Sequence, residues 1–206
     1  MPITSPSRLP IYTWATKPSP VGEHGLHVYI SDVGIGGGSV WYSDGLRWRA
    51  VGGKVTLLKR ITATATSASG TEQIAEQTPI MPAGLIQTSD TIRTVLSVQK
   101  SGTGVATTTS LRLGTAGTIA DTAVWALANP AAANRTFATV IELIRVDATT
   151  IRGSGLIAAG VYAQGGAFPA DVTVANMDSS ALYLTLGFLN GTETTACKTL
   201  SVELLT

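Results

Sequence analysis

A chain of 206 residues is long enough to form one good hydrophobic core, or one domain with a small attached module. Only 13% of the residues are charged and the formal net charge is +1, which argues against a nucleic-acid partner. With 44% hydrophobic residues and so few charges, the composition favours a protein that covers part of its surface with other subunits.

The first 21 residues predict an extended arm. Prolines recur through this stretch, and each one fixes φ and removes a backbone donor. Leu9, Ile11, Tyr12 and Trp14 supply apolar anchors that a plain disordered linker lacks. We therefore expect the arm to lie along a neighbouring subunit. The N-terminus lacks the pattern of a signal peptide, and no apolar run approaches the roughly 18 residues of a membrane span, so we expect cytoplasmic synthesis.

A small β-hairpin module follows the arm. The alternation over residues 26–30 predicts a strand, and the glycine-rich segment 34–38 predicts a loop, since no helix or Gly-Lys-Ser/Thr follows it for phosphate binding. The sequence V-W-Y-S-D-G-L-R-W (residues 40–48) predicts two strands joined by a tight two-residue Asp-Gly turn. The hairpin is too small to have a core of its own and must pack on something. Residues 1–54 are therefore predicted to be an attachment module.

Residues 55–206 predict an all-β body. Short Thr-, Val-, Ile- and Leu-rich segments alternate with turns that contain Gly, Asn, Asp or Pro. About eight such strands in roughly 150 residues are typical of a jelly-roll β-sandwich. The predicted strands are Val55–Thr66, Thr91–Val98, Thr107–Leu113, Thr122–Leu127, Thr136–Val146, Thr149–Ile157, Val172–Val174, Ala181–Phe188 and Thr194–Leu204. A short helix within residues 121–135 stays open as an alternative, and residues 71–77 could form a helical turn or an irregular strand.

Catalytic and metal-binding patterns are weak in this sequence. His24 and His27 have no third ligand nearby, and the single cysteine, Cys197, has no histidine partner close in sequence and is expected to be buried. Glu72 and Glu76 would share a face only on a helix, where a solvated face is the ordinary explanation. We therefore expect no enzymatic activity, no metal and no cofactor.

A glycan-binding site is a further possibility, because sugars stack on exposed aromatic rings beside acid or amide groups. Two groups of residues could form one: Trp41, Tyr42, Trp48 and Asp44 in the hairpin, or Trp125 or Tyr162 with Gln164 in the body. The competing interpretation, which we favour, is that the hairpin rings are packing anchors between the module and the body.

The sequence W-A-T-K-P-S-P-V-G, followed by V-Y-I-S-D-V-G and V-W-Y-S-D-G-L-R-W-R-A-V-G-G, resembles a short N-terminal module of tailed-bacteriophage virion proteins of the head-fibre, capsid decoration or tail-fibre type. The resemblance covers about residues 10–60. S-L-R-L-G-T-A-G-T-I-A-D-T-A (residues 110–123) is similar in style to phage and viral jelly rolls.

This resemblance implies a homotrimer without catalysis or cofactor, located in the virion and bound to other virion proteins. A capsid decoration protein attached through its N-terminal arm is the first expectation, and a tail-fibre or baseplate protein that recognises a host surface glycan is the alternative. The expected partner-binding residues are Tyr12, Trp14, Trp41, Tyr42, Asp44, Gly45, Arg47 and Trp48.

Overall fold

The computed structural model describes residues 9–35, 38–60, 64–66, 69–102, 104–129, 135–156 and 171–206. Within these ranges the chain contains strands and no helix, as the all-β prediction requires. The strands are β1 (Ile11–Tyr12), β2 (His27–Ile30), β3 (Ser39–Ser43), β4 (Trp48–Ala50), β5 (Lys54–Arg60), β6 (Thr64–Thr66), β7 (Gln73–Gln77), β8 (Thr91–Ser101), β9 (Thr107–Gly114), β10 (Thr122–Asn129), β11 (Arg135–Arg145), β12 (Thr150–Leu156), β13 (Val172–Thr173), β14 (Tyr183–Leu189) and β15 (Thr194–Leu205).

The N-terminal module forms its own four-stranded sheet, in the order β1-β2-β3-β4. The arm contributes β1, which pairs in parallel with β2 so that Ile11 lies opposite Tyr29. The β2–β3 and β3–β4 pairs are antiparallel. The predicted module therefore folds as a sheet to which the described part of the arm adds an edge strand.

The β3–β4 turn differs from the predicted Asp-Gly turn. Ser43 pairs with Trp48, and the amide of Asp44 donates to the carbonyl of Arg47 over 3.1 Å, so Gly45 and Leu46 are the central residues. Gly45 takes a φ of 90°, whereas Asp44 does not adopt a positive φ. The turn is shifted because the Asp44 carboxylate accepts hydrogen bonds from the next amides, and an aspartate at the first turn position favours this arrangement.

The body is a sandwich of two sheets. The larger sheet has seven strands, β13-β12-β11-β8-β15-β5 with β6 also paired to β15, and the smaller one has the order β10-β9-β14-β7. When β6, β12 and β13 are left out, eight body strands remain, which can be numbered 1 to 8 in chain order. Strands 1, 8, 3 and 6 (β5, β15, β8 and β11) are successive neighbours in the larger sheet. Strands 2, 7, 4 and 5 (β7, β14, β9 and β10) are successive neighbours in the smaller sheet. This interleaving is that of a jelly roll, and it confirms the predicted fold class.

The core lies between the two sheets and is built by strand alternation. In β8 every second side chain from Ile92 to Lys100 is buried, while the residues between them are partly or fully exposed. Leu111 of β9 and Val202 of β15 are also buried and belong to the same apolar cluster. Trp125 of β10 lies in this cluster with 1% of its surface exposed. Burial that alternates with period two is the signature of a strand with one face on the core.

Over the described residues both helical alternatives are wrong, because these residues lie in strands of the smaller sheet, and the irregular-strand alternative for residues 71–77 is confirmed. Residues 122–129 form β10, which pairs with β9 through a bulge near Trp125. Residues 73–77 form β7, which pairs irregularly with β14. Local alanine content is outweighed here by sheet pairing and by burial of Val124, Trp125 and Leu127. Within the described ranges the chain has no helix of the length and apolarity required to cross a bilayer.

Candidate attachment site

Three indoles of the N-terminal module lie in the interior of the molecule. Trp14, Trp41 and Trp48 are 4%, 0% and 2% exposed. Trp14 meets Trp41 edge-on with ring centroids 5.1 Å apart, a favourable aromatic geometry. Trp41 Nε1 donates to Ser39 Oγ over 2.7 Å, and Trp48 Nε1 donates to the carbonyl of Pro18 over 3.1 Å. Their polar atoms are therefore satisfied inside the chain.

Hydrogen bonds fasten this module to the body. Trp14 Nε1 donates to the carbonyl of Ala83 over 3.0 Å, and Gln87 Nε2 donates to the carbonyl of Trp48 over 3.0 Å. At the end of β4, the amide of Ala50 donates to Oγ1 of Thr206 over 3.0 Å. The indoles therefore act as the packing anchors between module and body that the sequence favoured. The predicted boundary between residues 54 and 55 stays a prediction.

The described part of the arm lies on its own chain. The amide of Tyr29 donates to the carbonyl of Pro10, and the amide of Ser31 donates to the carbonyl of Tyr12, over 2.9 and 2.8 Å. Lys17 Nζ stands 3.8 Å from the centre of the Trp14 ring, a cation–π contact. Residues 9–21 thus pair with their own chain through the backbone and Trp14, while Ile11 stays 70% exposed. The expectation that the arm also contacts a neighbouring subunit stays a prediction. Residues 1–8 lie outside the described ranges.

The opposite face of the module sheet points away from the indoles. Because directly paired residues point to the same side of a sheet, the register places two rows on this side. The rows, which we call the outer face, are Ile11, Tyr29 and Val40, and His27, Tyr42 and Arg49. Ile11 is 70% exposed, His27 is exposed, and the other four are half-buried. The outer face is thus mainly apolar and aromatic.

Close contacts hold the outer face in shape. The imidazole of His27 stacks on the Tyr42 ring with centroids 5.9 Å apart. A Cβ at Gly38 would lie 2.8 Å from the Tyr29 ring, so the close approach of that ring requires glycine, which also has a φ of 130°. Arg49 Nε donates to Asp44 Oδ2 over 2.8 Å. These contacts give the face a defined surface before any partner binds.

Asp44 organises the turn beside this face. Its Oδ1 accepts the amides of Arg47 and Leu46 over 2.8 and 2.9 Å. These backbone hydrogen bonds, assisted by Arg49, lower the pKa of Asp44 to about 2. Leu46 at the tip of the turn is 80% exposed. The turn therefore presents an apolar side chain next to a carboxylate that stays ionised.

Exposed hydrophobic side chains concentrate on the module. Among the described residues, half of the large exposed hydrophobic side chains belong to the short stretch 9–51. They are Leu9, Ile11, Val21, Ile35, Leu46 and Val51. Ile11 belongs to a strand of the module sheet and the other five lie in the segments around it. Scattered exposed apolar residues are normal, but such a concentration in one short stretch is typical of an interaction surface.

Of the eight residues expected to bind a partner, five retain accessible surface. Tyr12, Tyr42, Asp44, Gly45 and Arg47 are half-buried, and partner contact stays a prediction for them. The three indoles could contribute only from the interior, by shaping the module. Of the outer face, the sequence indicated Ile11 as an apolar anchor and Tyr42 as a contact residue, but gave no such role to His27, Tyr29, Val40 and Arg49. The alternation of residues 27–30 and 40–43 is a signal that could have indicated this face.

Three of the aromatic rings considered for glycan binding are not accessible in the structure. Trp41, Trp48 and Trp125 are buried and cannot stack on a sugar in this fold. Tyr162 and Gln164 lie outside the described residues. Tyr42 remains partly accessible on the outer face.

The described residues offer little conventional site chemistry. No group of three or more His, Cys, Asp and Glu side chains able to hold a metal occurs among them. His27 Nδ1 lies 2.9 Å from the carbonyl of Gly25, a local contact. Cys197 is buried as predicted, and burial raises the pKa of its thiol to about 12. The absence of catalysis stays a prediction.

The sequence did not predict two charge clusters, one half-buried and one buried. On the smaller sheet, Arg112 donates to both carboxylate oxygens of Glu72 over 2.9 and 2.6 Å, and Ser110 donates to the same carboxylate. At the contact between module and body, Asp90 is 1% exposed and lies 3.9 Å from Nη1 of Arg47. Each cluster joins residues about 40 positions apart, a distance at which local spacing carries no signal.

The similarity of this chain to known proteins is limited to a weak resemblance in structure. No protein-family model and no curated protein matches the chain. Among solved structures, a chain in the structure of the infectious bursal disease virus Gx strain is similar over 74% of this chain and 40% of its own length, with 16% sequence identity and a TM-score of 0.27. The matched region thus spans less than half of that viral chain. A similarity of this size carries no functional conclusion.

Proposed function

We propose that this chain is a non-enzymatic structural protein of a tailed-phage virion, a trimeric capsid decoration protein that attaches through the outer face of its N-terminal module. The observation that carries the proposal is the arrangement of this module. Its indoles are committed to the interior, while an apolar and aromatic sheet face with Ile11, Tyr42 and Arg49 is directed outwards.

Three further features support the proposal. The sequence of residues 10–60 resembles an attachment module of phage virion proteins, and that stretch coincides with the module sheet and the first body strand. A jelly roll is a common architecture of viral shell proteins. The low charge and the exposed hydrophobic side chains suit a chain that is covered by neighbours in an assembly.

The attachment face is tested by a substitution that keeps the module folded. Ile11→Glu places a charge on the outer face, and Val105→Glu is the matched control because Val105 is also exposed, at 45%, but belongs to the body. Burying an unpaired carboxylate is costly, so we expect Ile11→Glu to weaken binding to particles that lack this protein by about tenfold or more. The control should bind within about twofold of the natural chain, and equal binding by both variants would contradict the proposed face.

The position in the virion and the oligomeric state need separate measurements. Immunogold labelling of intact particles should give signal over the capsid shell, whereas signal at the tail tip would replace the decoration role with receptor binding. Sedimentation equilibrium should give the mass of three chains of 21.2 kDa each. A monomer at micromolar concentration would contradict the trimer.

A further inference from the structure

A buried aspartate lies where the N-terminal module meets the body. Asp90 is 1% exposed and closes the turn 87–90 that precedes β8. Its Oδ2 accepts the amide of Gln87 over 2.8 Å, and its amide donates to the carbonyl of Gln87 over 2.9 Å. Ser89 in the same turn adopts a φ of 73°, an unusual conformation for a residue other than glycine. The turn therefore holds the carboxylate in a fixed, desolvated position.

The cations around Asp90 are engaged elsewhere. Arg47 approaches Oδ1 only to 3.9 Å, beyond hydrogen-bonding distance, and donates instead to the carbonyl of Thr88 over 2.5 Å. Arg49, from the same hairpin, pairs with Asp44. An ionised Asp90 is therefore poorly compensated by the module that covers it.

On the body side of Asp90, the nearby cation is also bound to other groups. Arg145, at the end of β11, donates its amide to the carbonyl of Asp90 over 3.0 Å. Its buried guanidinium donates to the carbonyls of Ile86 and Asp147 and pairs with Asp178 over 2.8 Å. An ionised Asp90 thus has one hydrogen bond from Gln87 and only longer-range attraction from Arg47, Arg49 and Arg145.

The same turn binds the module directly. Gln87 Nε2 donates to the carbonyl of Trp48, and the carbonyl of Thr88 accepts from Arg47. We call these two contacts, with Asp90 beneath them, the joint. If the hairpin moved away, both contacts would break and water would reach Asp90, so opening of the joint is coupled to the charge of this carboxyl group.

We propose that the joint is controlled by protons: it is closed when Asp90 is neutral and loosens when Asp90 ionises. Burial, opposed by the Gln87 amide and the three arginines, raises the pKa of Asp90 to about 6. A carboxyl group with a raised pKa stabilises the closed state at low pH and loses that contribution as pH rises from about 4 through about 6. The inference concerns the isolated chain and does not depend on the proposed function.

Hydrogen exchange measured by mass spectrometry on the full chain tests this device between pH 4.5 and 7.5. After correction for intrinsic exchange rates, the opening equilibrium of residues 39–50 should increase by roughly 25-fold over this range. Strands β8 and β11 of the body should keep their protection. A parallel loss of protection in the body would overturn the proposal, because the pH effect would then be global.

Substitutions assign the effect to one group. Asp90→Asn should remove the pH dependence, whereas Asp171→Asn is the matched control because Asp171 is an exposed aspartate of the body and should leave it unchanged. Should Asp90→Asn fail to fold, Arg47→Gln serves instead. It removes an attractive charge and should shift the midpoint of opening to higher pH. A natural midpoint in Arg47→Gln, or a natural profile in Asp90→Asn, would refute the role of this carboxyl group.

Discussion

Replacing Trp14 with alanine tests whether the indoles anchor the module from the inside. The side chain is 4% exposed, packs edge-on against Trp41 and donates to the carbonyl of Ala83. Truncating a buried tryptophan leaves a large cavity and costs about 3–5 kcal/mol of unfolding free energy. Trp14→Phe keeps an aromatic ring and loses the hydrogen bond, so it should cost only about 1–2 kcal/mol.

Urea unfolding followed by circular dichroism and indole fluorescence measures these costs. With a denaturant slope of about 2 kcal/mol per molar, a loss of about 4 kcal/mol lowers the midpoint by about 2 M. Tyr42→Ala is the matched control, because it removes a partly exposed ring from the outer face and should shift the midpoint by less than about 0.5 M. Equal shifts for Trp14→Ala and Tyr42→Ala would refute the interior role of the indole.

Two further predictions concern the body. Arg112→Met should destabilise the chain by about 1–3 kcal/mol in urea unfolding, because it removes two charge-assisted hydrogen bonds from the half-buried Glu72, and Arg112→Met combined with Glu72→Gln should recover part of that loss. Although burial opposes it, hydrogen bonding from Arg112 and Ser110 lowers the pKa of Glu72 below its usual value, so this stabilisation should fade as pH falls below about 4. The Cys197 thiol should not react with a disulfide reagent in the native protein and should react fully in denaturant; rapid native labelling would contradict its burial.

Sequence reasoning succeeded where the signal is local. Runs rich in Thr, Val, Ile and Leu between turn residues, such as residues 91–98 and 194–204, predicted the strands, and their number and spacing predicted the jelly roll. Strand bounds differ by a few residues because pairing extends β8 and β15 beyond the predicted stretches.

Long-range contacts account for what the sequence did not reveal. Trp14 has a partner 69 positions away at Ala83, and nothing near Trp14 indicates that it is satisfied within its own chain. The contacts of the joint, which Gln87 and Thr88 make with Trp48 and Arg47 above Asp90, likewise depend on how the module packs on the body. Aromatic residues on a hairpin are compatible with a partner surface or an interior anchor, and only tertiary packing decides which of them are accessible.

Hydroxyl-radical footprinting of the free protein and of assembled particles tests the central claim most directly. The claim is that the module turns its indoles inwards and binds its neighbour through the opposite face. Ile11, His27 and Tyr42 should be oxidised in the free chain and protected in the particle, while Trp14 and Trp41 should be protected in both states. Oxidation of the two indoles in the free protein, or an outer face that stays reactive in the particle, would contradict the account.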